Sequence, residues 1–250
     1  MLPSLIDLLQ AGPVMAAAFL ASAVEAVEAA TVVLAASVER GWRPSLAGAL
    51  MALVALAVIA ALFGTALAAI PLTMLQVVAG TLLLLFGVRW LRKAMLRSAG
   101  VIALRDEEAL YARERKALVG SPGAWHRRWD AMAALVSFKA VLLEGLEVMV
   151  IVIGLGAAGG TLVPAAAGAI SACVGVAAIA AALNQPLSRI PENTLKFAVG
   201  IMVSAFGLFW FGEGIGLHWP YGDAAIPGLV AVLFAASSCA VALVRRGGIR

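Results

Sequence analysis

Residues Val14 to Val38 read VMAAAFLASAVEAVEAATVVLAASV, an apolar run whose only ionisable side chains, Glu25 and Glu28, lie one helical turn apart near its middle. A run of this length crosses a hydrocarbon core about 30 Å thick. An acid at the centre of such a helix costs roughly 2.5 to 3.5 kcal/mol on insertion scales. The pattern returns between Ala131 and Leu155, where Glu144 and Glu147 sit at the same spacing. Four buried acids cost on the order of 10 kcal/mol together, so a bound cation is the expected compensation.

The rest of the chain fits a membrane setting. It is 63% hydrophobic and only 13% charged, with a mean hydropathy of +1.02, outside the range of soluble domains. Apolar windows at about 14–38, 45–68, 72–91, 131–155, 162–183, 194–211 and 224–244 predict seven spans. Cys173 and Cys239 fall inside two of them without metal-ligand spacing and read as packing residues. The start of the chain lacks the basic segment of a cleavable signal, so the first span is expected to be retained.

The net charge of +4 suggests nucleic acid until the basic residues are placed. Alternating the seven spans puts 17 of the 18 Lys and Arg on one side of the bilayer, with Lys139 inside a span as the exception. That distribution predicts an N-terminus outside and a C-terminus inside, and removes nucleic acid as a partner. Residues 101–119 read as a charged surface helix with acids near its start and bases near its end.

An internal repeat relates the acidic pairs. At an offset of 120, Pro44, Gly48, Ala52 and Pro71 fall on Pro164, Gly168, Ala172 and Pro191, and Phe86-Gly87 with Trp90 fall on Phe206-Gly207 with Trp210. At an offset of 119, Glu25 and Glu28 fall on Glu144 and Glu147. Three spans are an odd number, so the halves must cross in opposite directions, the plan of many secondary transporters. The expected organisation is a first three-helix repeat at 1–91, a cytoplasmic connector at 92–130, an inverted repeat at 131–212, and a seventh helix with a basic tail at 213–250.

Residues three apart on a helix share a face. If the pseudo-two-fold axis passes between the first and fourth spans, Glu25, Glu28, Glu144 and Glu147 converge. Mutual repulsion then requires protons, a cation, or an exchange of one for the other. Carboxylate oxygens without His or Cys favour Fe, Mn, Mg or Ca over Cu(I) or Zn. Lys139 is a candidate counter-ion for the empty site, and Asp7, Glu213, His218 and Asp223 are candidates for an acidic extracellular entry. Trp90 and Trp210 are expected at the membrane interface, and Gln76 aligns with Lys196, a pair too unlike to assign a role.

These residues resemble a known family. Leu143-Glu144-Gly145-Leu146-Glu147 matches four positions of the Arg-Glu-Gly-Leu-Glu motif of the oxidase-dependent iron permeases, and Val24-Glu25-Ala26-Val27-Glu28 matches its two acids; the Arg is absent from both. The resemblance implies a seven-span permease in which the four glutamates coordinate iron and a partner oxidase can be required. The chain is more loosely similar to Golgi-type manganese and calcium transporters and to the lysine exporters. The expectation is an all-helical carrier of a di- or trivalent metal in the cell membrane, iron first and manganese next, with the metal as substrate and no permanent cofactor. The alternatives are an exporter of organic cations and an intramembrane carboxylate-metal enzyme, the latter disfavoured by the absence of Glu-x-x-His. Whether a second copy or an oxidase accompanies the chain stays open.

Overall fold

A computed structural model describes residues 5–67, 70–103, 107–119, 129–157, 160–183 and 192–246. The described elements are eight α-helices and one turn of 3-10 helix: α1 (Leu5–Arg40), α2 (Trp42–Leu67), α3 (Leu72–Ser98), α4 (Glu107–Val119), α5 (Ala131–Ala157), α6 (Leu162–Leu183), α7 (Glu192–Gly214), the 3-10 turn Gly222–Ala224, and α8 (Ala225–Arg246). Six are long and apolar enough to cross a membrane: α1, α2, α3, α6, α7 and α8. The protein is a multi-pass membrane protein. Helix α5 is as long and carries Lys139, Glu144 and Glu147.

Six of the seven predicted spans are recovered as long apolar helices, with shifted ends. Pro13 lies within α1, which begins earlier than predicted, and α3 continues past the predicted end near 91 to Ser98. One residue, Gly41, separates α1 from α2, and its φ of 110° is a conformation that side chains rarely allow. The charged helix is shorter than expected, and residues 104–106 lie outside the described residues.

Helix directions follow from close contacts between small residues. Gly48 and Gly145 bring α2 and α5 together in the same direction, against Ala134 and Leu56 respectively. Gly168 packs on Met15 and Val176 on Val27, so α1 and α6 also run the same way. Gly80 faces Gly207 while Gly87 faces Gly200, so α3 and α7 are antiparallel. Exchanging α1 with α5, α2 with α6 and α3 with α7 maps the packed pairs onto one another: α1·α6 onto α2·α5, α1·α2 onto α5·α6, and α3·α5 onto α1·α7. Small residues permit these approaches in lipid, where no hydrophobic force drives helices together. Helix α8 packs on α3 and α7 from outside, and most of its surface is exposed.

One end of the bundle is held by polar contacts. Arg40, at the end of α1, donates to the Leu118 carbonyl and pairs with Asp130 at 2.9 Å, and Arg115 of α4 pairs with Glu39. The Arg40 bond satisfies the Leu118 carbonyl, which the end of α4 leaves open. Leu118 and Tyr111 pack on Ala35 and Ala36, so α4 docks on α1. Arg245 donates to the Ser98 carbonyl at 3.0 Å, and Asn193 to Ser98 Oγ at 3.0 Å, gathering the ends of α3 and α8 with the start of α7.

Asp130 also caps α5, accepting from the N–H groups of Met132 at 2.9 Å and Ala133 at 3.2 Å. Burial works against its charge, but the Ala133 N–H and the Arg40 guanidinium outweigh it and hold the carboxyl below its usual value of 3.8. Because its folded value lies below its unfolded one, its stabilisation is present at neutral pH and is lost as pH falls through the folded value. Asparagine caps as well as aspartate but cannot form the charge pair with Arg40, so Asp130→Asn should destabilise the protein by up to about 1 kcal/mol at pH 7. The difference should shrink between about pH 5 and pH 2, and thermal unfolding across that range checks it.

Candidate cation site

Helix α1 presents Glu25 and α5 presents Glu144 and Glu147 at the middle of the bundle. One carboxylate oxygen from each lies within 4.8 Å of the others. Glu25 is 1% exposed, and its Oε1 is buried without a hydrogen-bond partner. Oxygens this close cannot all carry charge without a cation or protons between them. A buried oxygen without a hydrogen-bond partner among the described residues, on an acid grouped with two further carboxylates, belongs to a donor set suited to a hard cation.

The surroundings shape access. Val14, Ala17, Ala18 and Ala21 precede Glu25 on α1, and Ile151 and Leu155 follow Glu147 on α5; all join one buried cluster with Leu83 and Phe206. Since α1 and α5 are antiparallel, this cluster closes the site from the end where α1 begins. Ser22 Oγ and Ser137 Oγ are also buried without partners. Ser22 lies three residues before Glu25 and Ser137 seven before Glu144, so each shares the face of a glutamate. Ser22, one turn from Glu25, is a neutral oxygen suited to a hard cation, whereas Ser137 lies two turns, about 10 Å, from Glu144.

Glu28, the fourth predicted ligand, is outside this group. Its Oε1 pairs with Nζ of Lys196 from α7. The cation at the glutamates is thus Lys196, while Lys139, the candidate read from the sequence, is exposed on α5. Five residues place Lys139 about 140° around the helix from Glu144, which turns it off the acidic face. Arg89 of α3 supplies a second cation, 3.2 Å from Glu147 Oε1, although its side chain is 63% exposed. Nothing in the sequence flagged Arg89, since it was counted with the cytoplasmic bases.

Trp90 does not anchor at the membrane surface. It is buried, with its ring 5.1 Å from Phe86 and beneath Lys196 Nζ, which is 5.2 Å from the ring centroid. Trp210 packs against the same apolar cluster. Of the entry candidates, Glu213 lies near the end of α7 and His218 and Asp223 follow it, while the Asp7 side chain lies outside the described residues; among the described residues the other three form no group of metal ligands.

In comparison with protein families, residues 11–98, about a third of the chain, are similar to the family described as GDT1, divalent cation/proton antiporter. Comparison with curated proteins and with solved structures finds no match. The matched residues contain α1, α2 and α3, and with them Glu25, Glu28 and Arg89. This match overturns the resemblance to the oxidase-dependent iron permeases, and the case for iron and a partner oxidase falls with it. The family matched is one of transporters and not of enzymes.

Proposed function

We propose that this protein carries a divalent cation across the cell membrane in exchange for protons, using Glu25, Glu144 and Glu147 as the cation site. The observation that carries this reading is the convergence of three carboxylates from α1 and α5 within 4.8 Å, one of them with a buried, unpartnered oxygen. Carboxylates that must hold either protons or a cation are suited to exchanging the two. The similarity of residues 11–98 to a family of divalent cation/proton antiporters favours the same chemistry. Manganese and calcium both suit an all-oxygen site.

In this reading α5 is a seventh crossing, its ionisable groups facing protein. Two three-helix halves, α1 to α3 and α5 to α7, then form an inverted repeat with the site between them. The exchange symmetry of the packed pairs and the antiparallel seam of α3 and α7 support that arrangement. The basic end faces the cytoplasm, consistent with 17 of 18 basic residues falling on that side in the seven-span topology. Rocking of one half against the other would open the site alternately to each side.

Uptake of Mn(II) and Ca(II) into proteoliposomes tests this. Uptake should accelerate when the lumen is made acidic, and the lumen should lose protons as metal enters. Metal uptake that ignores the proton gradient would reject the exchange mechanism.

A further inference from the structure

Glu28 and Glu147 are repeat counterparts, yet Glu147 joins the three-carboxylate group and Glu28 does not. The difference is Lys196. Its side chain is buried, its Nζ contacts Glu28 Oε1, and it lies over the buried ring of Trp90. A lysine at this depth is tolerated where it pairs with a counter-charge, and the face of an aromatic ring adds to that pairing. The matching position of the first half, 120 residues earlier, is Gln76, which is buried and neutral. The halves thus share their carboxylates but differ in the charge placed beside them.

The charge balance of the whole cluster follows. Four ionised glutamates carry a formal charge of minus four. Lys196 on Glu28 and Arg89 on Glu147 reduce it to minus two, which one divalent ion cancels. Without Lys196, a trivalent ion would be the better match. Charge matching is strongest at Glu25, the buried member of the group.

We propose that Lys196 is a specificity-determining residue: a tethered ammonium that withdraws Glu28 from the cation site, leaving three carboxylates whose net charge selects a divalent ion. This rests on the reading of Glu25, Glu144 and Glu147 as that site. The role needs no movement of the lysine, only its standing charge.

The test is equilibrium binding of Mn(II), Ca(II) and Tb(III) to the purified full-length protein, with Tb(III) luminescence as a second readout. Lys196→Gln, which copies Gln76, should raise the preference for Tb(III) over Ca(II) by about tenfold or more, because Glu28 is released to the site. Lys196→Arg keeps the charge and should keep the wild-type preference. Glu28→Gln should weaken divalent binding by about tenfold or more, since it leaves a buried ammonium beside the ion. The double variant Glu28→Gln with Lys196→Gln should recover to within about threefold of wild type, the non-additivity expected of a coupled pair. A structural lysine would behave otherwise: Lys196→Gln would weaken all three ions equally, and the double variant would do no better. That result would overturn the proposal while leaving the cation site standing. Wild-type affinity in Glu25→Gln would instead remove the site itself, and the role of Lys196 with it.

Discussion

Glu25→Gln is expected to slow divalent-cation transport on the order of a hundredfold or more, with the melting temperature unchanged or slightly raised. The two effects have one origin. Glu25 is 1% exposed and its Oε1 has no hydrogen-bond partner, so the empty site bears the cost of a buried acid beside two others. Glutamine keeps the volume and removes the charge, which relieves the empty state. The loaded state loses an anionic ligand to a hard cation, and neutral amide oxygens replace that poorly. Initial rates in proteoliposomes and thermal unfolding of the same preparation separate the two readouts. Transport within about tenfold of wild type would show that the ion binds elsewhere. Lys139→Gln is the control: an exposed side chain off the acidic face should leave rate and stability within ordinary surface limits, about 0.5 kcal/mol.

The helices and the acids were legible in the sequence for one physical reason: lipid punishes departures from apolar composition, so Glu25, Glu28, Glu144 and Glu147 stand out against their runs. Gly48 and Gly168, matched by offset alone, meet the carbonyls of Ala134 and Met15, themselves 119 residues apart, which supports the proposed repeat. Lys196 was not legible. It lies near the start of α7, where a basic residue reads as a helix-end anchor, and only the packing of α7 against α1 carries it to Glu28. Arg89 was not legible either, because a basic residue near the end of an apolar run reads as a cytoplasmic anchor until packing brings it to Glu147. Trp90 illustrates the same limit, because an aromatic near the end of an apolar run looks interfacial until α7 covers it. The ion was misassigned from a short motif. Glu-x-x-Glu specifies two oxygens on one helical face, a requirement that many hard cations share.

Gly48→Ala and Gly168→Ala are expected to destabilise the protein by similar amounts, about 2 kcal/mol each. A methyl group on Gly48 would overlap the Ala134 carbonyl, and one on Gly168 would overlap the Met15 carbonyl. Both obstacles are backbone, so no side chain can rotate away and the helices must separate. Met15 and Ala134 are themselves 119 residues apart, the offset that relates Glu25 to Glu144, so the two collisions are one contact made twice. Gly175→Ala, where an added methyl meets nothing within 4 Å, should be neutral or gain up to about 1 kcal/mol from helix propensity. Thermal unfolding in detergent compares the three. A large loss at Gly48 with none at Gly168 would mean that the α2·α5 and α1·α6 seams are not equivalent, and the two-fold packing would fail. Gly80 and Gly87 extend the comparison, because they seat α3 on α7 through Gly207 and Gly200. These two helices carry Arg89 and Lys196 to the glutamates. Gly87→Ala should therefore disturb ion preference as well as stability, whereas Gly48→Ala and Gly168→Ala leave both cations on an intact α3·α7 seam. That contrast ties the small residues of the bundle to the charge balance of its site.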